Sequence, residues 1–198
     1  MIQGESSLSL IDLEFQSGAN VEVRHNFNWQ VLEEEFAPVG ISIAPGQYVY
    51  SRTRFSFNTD FSKKYALSTS YEIGDYFDGK LNTLSTSLRM APLPHLALSV
   101  DYEYNLLQEL GVQNEEKSTN LIGINARLAL NPRVQLIGFY QYNSAIRRSV
   151  WNARLSWEYR PLSYVFIVFN RNDIQSINVA DRFTQNQFIS KITLLKQF

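Results

Sequence analysis

The 198-residue chain contains no cysteine. That absence removes disulfides, thiolate metal sites and thiol nucleophiles together. Histidine occurs only as His25 and His95, neither with carboxylates at ligand spacing, so no metal site is expected. The formal net charge is -1, so there is no global basic field and nucleic acid is not an expected partner. Long hydrophobic runs are missing as well, and no stretch approaches the roughly 20 apolar residues of a membrane-spanning helix. The chain carries no G-x-S-x-G, P-loop or H-E-x-x-H signature. No catalytic residue and no cofactor is therefore expected, and the chain is not read as an enzyme.

What is present is alternation. In 20–32, Val21, Val23, His25, Phe27, Trp29 and Val31 share one phase, and Glu22, Arg24, Asn26, Asn28 and Gln30 share the other. Successive side chains of a strand point to opposite faces, so this segment has one apolar and one wet surface. Segments 96–106 and 151–160 repeat the pattern, and weaker versions occur at 6–16, 47–58, 64–74, 80–90, 119–130, 133–142, 164–170 and 185–198. Many of these runs are roughly 10–13 residues long, against a globular mode of about 5–6 and a membrane-strand requirement of about 9–11. A mean hydropathy of -0.22 agrees with such strands, which hide apolar residues among polar ones.

The connections sort into two classes. Short ones fall at 17–19, 59–63, 91–94, 131–133 and 160–163, built on Gly, Pro, Asn and Asp, which adopt turn dihedrals at little cost. Long ones are expected at 33–46, 75–80, 107–117, 143–149 and 171–184, in strict alternation with the short ones. A further strand around Val39–Ile43 is an alternative reading of the first long connection. Tight turns on one side and longer loops on the other are the pattern of an outer-membrane barrel. The expected fold is all-β, an antiparallel up-and-down transmembrane β-barrel with about 11–12 long strands, forming part of a larger barrel.

Residues 1–198 are read as a single outer-membrane β-barrel domain. The segment Met1–Ser7 has neither the basic nor the apolar region of an export signal. The first strand also starts on the long-loop side. The chain is therefore expected to be the C-terminal portion of a longer one, with upstream strands or a plug supplied by the same or another chain.

Charges facing lipid cost roughly 2–4 kcal/mol for Arg or Lys at mid-depth. Glu22, Arg24, Arg52, Arg54, Glu72, Arg89, Asp101, Glu103, Arg127, Arg154, Glu158 and Lys191 are accordingly expected to face the lumen. They either form a pore wall or fill the interior with ion pairs. An inner apolar patch of Ile137, Phe139, Val165, Ile167 and Phe169 is expected to meet a plug, a partner or a hydrophobic ligand, or to fill a narrow lumen. Trp29, Tyr102, Tyr104, Trp151, Trp157 and Tyr159 are expected to form the aromatic girdle at the headgroup level. Phe198, in phase with Leu194, Ile192 and Phe188, resembles the terminal signal read by the outer-membrane assembly machinery. The expected partners are that machinery and the lipid bilayer, and the expected location is the bacterial outer membrane.

Several segments resemble a family of Bacteroidota envelope proteins in which a carbohydrate-binding, family-9-like sandwich precedes a C-terminal barrel domain of unknown function. They are Ile43-Ala44-Pro45-Gly46-Gln47-Tyr48, Asp75-Tyr76-Phe77-Asp78-Gly79, Gln141-Tyr142-Asn143-Ser144 with Asn152-Ala153-Arg154-Leu155-Ser156-Trp157, Tyr159-Arg160-Pro161-Leu162-Ser163 leading into Val168-Phe169-Asn170, and Lys191–Phe198. The resemblance covers most of residues 20–198 and implies the barrel. It transfers no catalytic residue and no sugar binding, since the sandwich is not in this sequence. The expected role is a pore, a transporter or an anchor for an upstream binding domain. The alternatives are a soluble β-sandwich or curved sheet that binds polysaccharide, and a barrel-borne hydrolase using lumenal carboxylates.

Overall fold

The computed structural model describes residues 2–175 and 183–195. Its strands are β1 (Ile2–Glu14), β2 (Asn20–Leu32), β3 (Gly46–Asn58), β4 (Tyr65–Tyr76), β5 (Gly79–Leu93), β6 (Leu96–Leu110), β7 (Glu115–Asn131), β8 (Val134–Asn143), β9 (Arg148–Arg160), β10 (Ser163–Ile174) and β11 (Phe183–Thr193). They form one 11-stranded antiparallel up-and-down sheet in chain order. Among the described residues β1 and β11 each have a single neighbour, so the sheet is not closed. The one helical piece described is the 3-10 turn Pro38–Gly40. The alternative strand at Val39–Ile43 is replaced by this turn and an isolated bridge between Phe36 and Ile43.

The expected alternation of short and long connections holds only in part. The β4–β5 link, expected to be long, is a tight turn at Phe77-Asp78, and the β6–β7 and β8–β9 links shrink to 111–114 and 144–147. The strands continue through residues assigned to loops, so that β7 reaches 17 residues. Backbone groups in an extended ladder are hydrogen-bonded, whereas loop groups must find water or side chains.

The residues divide into two units. The first comprises Met1–Phe61, Ala66–Ser87 and Tyr102–Asn120, and the second Ser62–Tyr65, Leu88–Asp101 and Leu121–Phe198.

In the first unit, cross-strand pairing aligns the polar phase. Glu22 stands opposite Ser56, Arg24 opposite Arg54, and Asn26 opposite Arg52. Arg54 in turn faces Glu72 on β4. Phe27, Trp29, Phe55 and Phe57 take the other face with Tyr71 and Ile73. β1 has an apparent fault in its alternation, because Leu8 and Leu10 are followed by Ile11 and Leu13. A β-bulge between Ser9 and Ile11 absorbs it, so that Leu8 meets His25 while Ile11 and Leu13 meet Val23 and Val21. An extra residue in one strand restores phase at the cost of one unpaired position.

In the second unit, Arg127 stands opposite Ile137, which stands opposite Arg154. Arg154 faces Val168, Ser156 faces Phe166, and Glu158 faces Tyr164. Phe166 is paired with Lys191. Another bulge, between Ser163 and Tyr164, falls at Tyr159 of β9.

This pairing corrects the inner apolar patch. Ile137 and Phe139 do stand on the charged face, but Val165, Ile167 and Phe169 are opposite Trp157, Leu155 and Ala153 and lie on the apolar face. Tyr164, Phe166 and Val168 take the positions assigned to them, and Arg154 rests 5.1 Å from the centre of the Phe166 ring. A strand that is apolar on both sides has no phase of its own, so its partner β9 sets it.

Candidate functional site

The site begins with a buried cap in the first unit. The connection 33–45 folds back onto the strand ends. There Leu32, Ile41, Ile43, Phe77, Leu107 and Leu110 form the buried cluster, with Phe36, Val39, Tyr48, Tyr76 and Leu81 packed against it. Each such burial contributes about 1.5–3 kcal/mol. Phe77 is the hub, with ring centres 5.2 Å from Tyr48, 5.6 Å from Tyr50 and 4.7 Å from Tyr76. Polar ties hold the connection down. Val112 N–H donates to the Ser42 carbonyl at 3.3 Å, and the Lys117 ammonium donates to the Val39 carbonyl. Gly111 permits this approach, because its φ is 75° and a Cβ there would lie 2.4 Å from Ser42 O. Sequence reading missed this cluster, since its members lie in segments far apart and show no common period.

Tyr50 and Tyr76 link the cap to a wall of charge. The cleft beside them, about 240 Å³, is lined by residues including Arg24, Asn26, Tyr50, Arg52, Arg54 and Glu72. Glu72 is the centre. Arg54 Nη2 and Nε donate to its Oε2 at 2.6 and 3.0 Å, and Arg52 Nη1 lies 3.3 Å from its Oε1. Glu72 is buried, whereas Arg54 remains half exposed. The network continues across the sheet. Arg52 Nη2 donates to Thr83 Oγ1 at 3.0 Å, Thr83 donates to Asn105 Oδ1 at 2.8 Å, and Asn105 Nδ2 donates to Glu103 Oε1 at 2.7 Å. Arg24 donates to Glu22 at the edge of the cluster. A buried carboxylate that receives several charge-assisted hydrogen bonds is well placed to hold its partners in fixed orientations.

The expected lumen-facing charges thus separate by unit. Glu22, Arg24, Arg52, Arg54, Glu72 and Glu103 are brought together in the first. In the second, Arg127, Arg154, Glu158 and Lys191 share the face that register gives to Ile137 and Phe166. Asp101 joins that face, because a Cβ at Gly123 would lie 3.7 Å from Asp101 Cβ. Arg89 lines a second cleft with Lys64 and Arg127.

Arg52 Nε and Asn26 Oδ1, cross-strand partners, are buried without a hydrogen-bond partner among the described residues. One is a donor and the other an acceptor, and neither has exposed surface for a solute to contact. Glu22 and Glu72 are both taken up by guanidinium groups. Among the described residues no group of His, Asp and Glu could hold a metal ion.

In each unit the opposite face is apolar and exposed. Val49 is 76% exposed and Ile192 71%, and Phe27, Trp29, Phe55, Tyr71, Ile73, Trp151, Trp157 and Phe188 are exposed as well. His25 belongs to this face, with Nδ1 2.8 Å from Thr53 Oγ1 and its ring edge-on to Phe27. Of the expected girdle, Trp29 and Trp151 lie toward the long-connection ends of their strands, and Trp157 and Tyr159 toward the short turn of β9. Tyr104 and Tyr102 stand nearer the middle of β6, where Tyr102 donates to Asn120 Oδ1 at 2.8 Å. Phe188 and Ile192 pair with Phe169 and Val165 on the apolar face. Phe198 lies outside the described residues. Comparison with protein-family models, curated proteins and solved structures finds no match to this chain.

Proposed function

We propose that the chain is part of an outer-membrane β-barrel that serves as a pore, a transporter or the membrane anchor of a binding domain. The observation that carries this reading is the contrast between the faces of its strands. Large exposed side chains such as Phe55 and Ile73 occupy one, and the Arg54–Glu72 network the other. Soluble monomers rarely expose contiguous apolar patches larger than a few hundred Å². Strands of 10–17 residues also exceed what a globular sheet needs and suffice to cross a bilayer. On this reading the charged face lines the lumen, and the contact pairs of Arg52 and Arg54 with Glu72 and of Arg24 with Glu22 form part of its wall. The cap formed by 33–45 constricts that lumen at the strand ends.

Fractionation and planar-bilayer recording test the proposal. The chain should partition with membranes, need detergent for extraction and, as a pore, give discrete conductance steps. A soluble monomer in buffer without detergent or denaturant would refute it.

A further inference from the structure

The apolar face carries a feature that plain lipid contact does not require. In the second unit, register aligns Ala126, Gly138 and Ala153 in one row across β7, β8 and β9. Leu136 and Leu155 form the next row toward the short turns, and Tyr140 and Trp151 the next toward the long connections. Small residues between taller rows leave a trough, and Phe169, opposite Ala153, closes its β10 end. The cavity measures about 670 Å³ and is lined by the small row, by Tyr140, Trp151 and Phe169, and by Arg171 and Asp173, while the leucine row lies outside its lining. A Cβ at Gly138 would meet nothing within 4 Å.

The polar end is unusual for such a face. Arg171 Nε donates to Asp173 Oδ2 at 2.6 Å, with Arg171 about half exposed and Asp173 largely covered. The Asp173 carboxylate also accepts a hydrogen bond from the hydroxyl of Thr184, its cross-strand partner, and its Oδ1 is buried without a hydrogen-bond partner among the described residues. The trough thus offers an apolar channel ending in a fixed cation beside an anion with an unused acceptor. An anionic ligand would satisfy Arg171 and be repelled by Asp173. A zwitterion satisfies both.

We propose that this trough binds a zwitterionic phospholipid. One acyl chain lies over Gly138 between the aromatic and leucine rows, the phosphate meets Arg171, and the ammonium of a phosphoethanolamine head donates to Asp173. The inference rests on the membrane reading above. Barrel strands tilt by about 35–45° from the bilayer normal, so a row crossing them is inclined out of the bilayer plane, and a chain lying in it can run inward from the headgroup level.

Native mass spectrometry of the full chain in mild detergent, with phosphatidylethanolamine or phosphatidylglycerol added at equal concentration, tests this. Tryptophan fluorescence in vesicles serves as the control for folding. The wild type should retain phosphatidylethanolamine preferentially. Gly138→Leu, which projects a side chain into the trough from a position where a Cβ meets nothing within 4 Å, should fold and insert normally but lower lipid retention about tenfold. Arg171→Gln should erase the headgroup preference. Equal retention by Gly138→Leu, or no retention by an inserted wild type, overturns the site. Equal retention of phosphatidylglycerol overturns the headgroup assignment. A monomer–dimer shift in Gly138→Leu with lipid retention unchanged would show the trough to be an interface between copies instead. A wild type that stays soluble without detergent would refute the membrane reading itself, a distinct outcome.

Discussion

Arg54 and Glu72 face each other across β3 and β4, and the guanidinium delivers both of its hydrogen bonds to one carboxylate oxygen, Oε2. The other oxygen is left to Arg52, which also reaches Thr83. Glu72 is therefore shared, and its loss strands cations of very different exposure.

Glu72→Gln should cost more stability than Arg54→Gln. Removing the carboxylate leaves Arg52, with a side chain only 13% exposed, short of its counter-ion, a loss of about 2 kcal/mol by the usual cost of an uncompensated buried charge reduced for partial solvation. Arg54 is half exposed, so its pair contributes at most about 1 kcal/mol. Urea titrations of the protein folded in vesicles, read by tryptophan fluorescence, should rank the variants in that order.

The faces of β10 can be tested with one chemical change at adjacent positions. Ile167→Glu places a carboxylate on the apolar face, opposite Leu155, and should lower folding into vesicles by about 2 kcal/mol. Val168→Glu places it opposite Arg154 and should be tolerated. Folding yields that are equal, or reversed, would show that the face assignment is wrong.

Gly111 should be irreplaceable for the cap. Its backbone is left-handed at φ 75°, and a Cβ would strike the Ser42 carbonyl. Gly111→Val should therefore free the connection 33–45. The triplet Glu33-Glu34-Glu35 makes the release measurable, because a glutamate-specific protease should cut the variant there faster than the wild type. If the chain conducts, the variant should also show a larger unitary conductance.

Period-two alternation placed most of the strands, because a half-buried strand writes its face directly into the order of its residues. Segment 20–32 coincides with β2 (Asn20–Leu32), and cross-strand register puts Glu22, Arg24, Arg52, Arg54 and Glu72 on one face. β10 was not legible in the same way. Tyr164 through Phe169 are all apolar, so only the pairing with Trp157 and Arg154 decides which of them face inward. The cap was hidden because Ile41, Phe77 and Leu110 meet only after the chain has folded back on itself. The trough was hidden for a related reason. Ala126, Gly138 and Ala153 are unremarkable singly and become a notch only when the register aligns them.

The three tryptophans, Trp29 in the first unit and Trp151 and Trp157 in the second, are each exposed on the apolar face of their own unit. Quenching of their fluorescence in vesicles therefore tests the membrane reading most directly. Brominated phospholipids should quench the emission strongly, and aqueous acrylamide only weakly. Strong quenching by acrylamide, with none by brominated lipid, would place those side chains in water and contradict the reading.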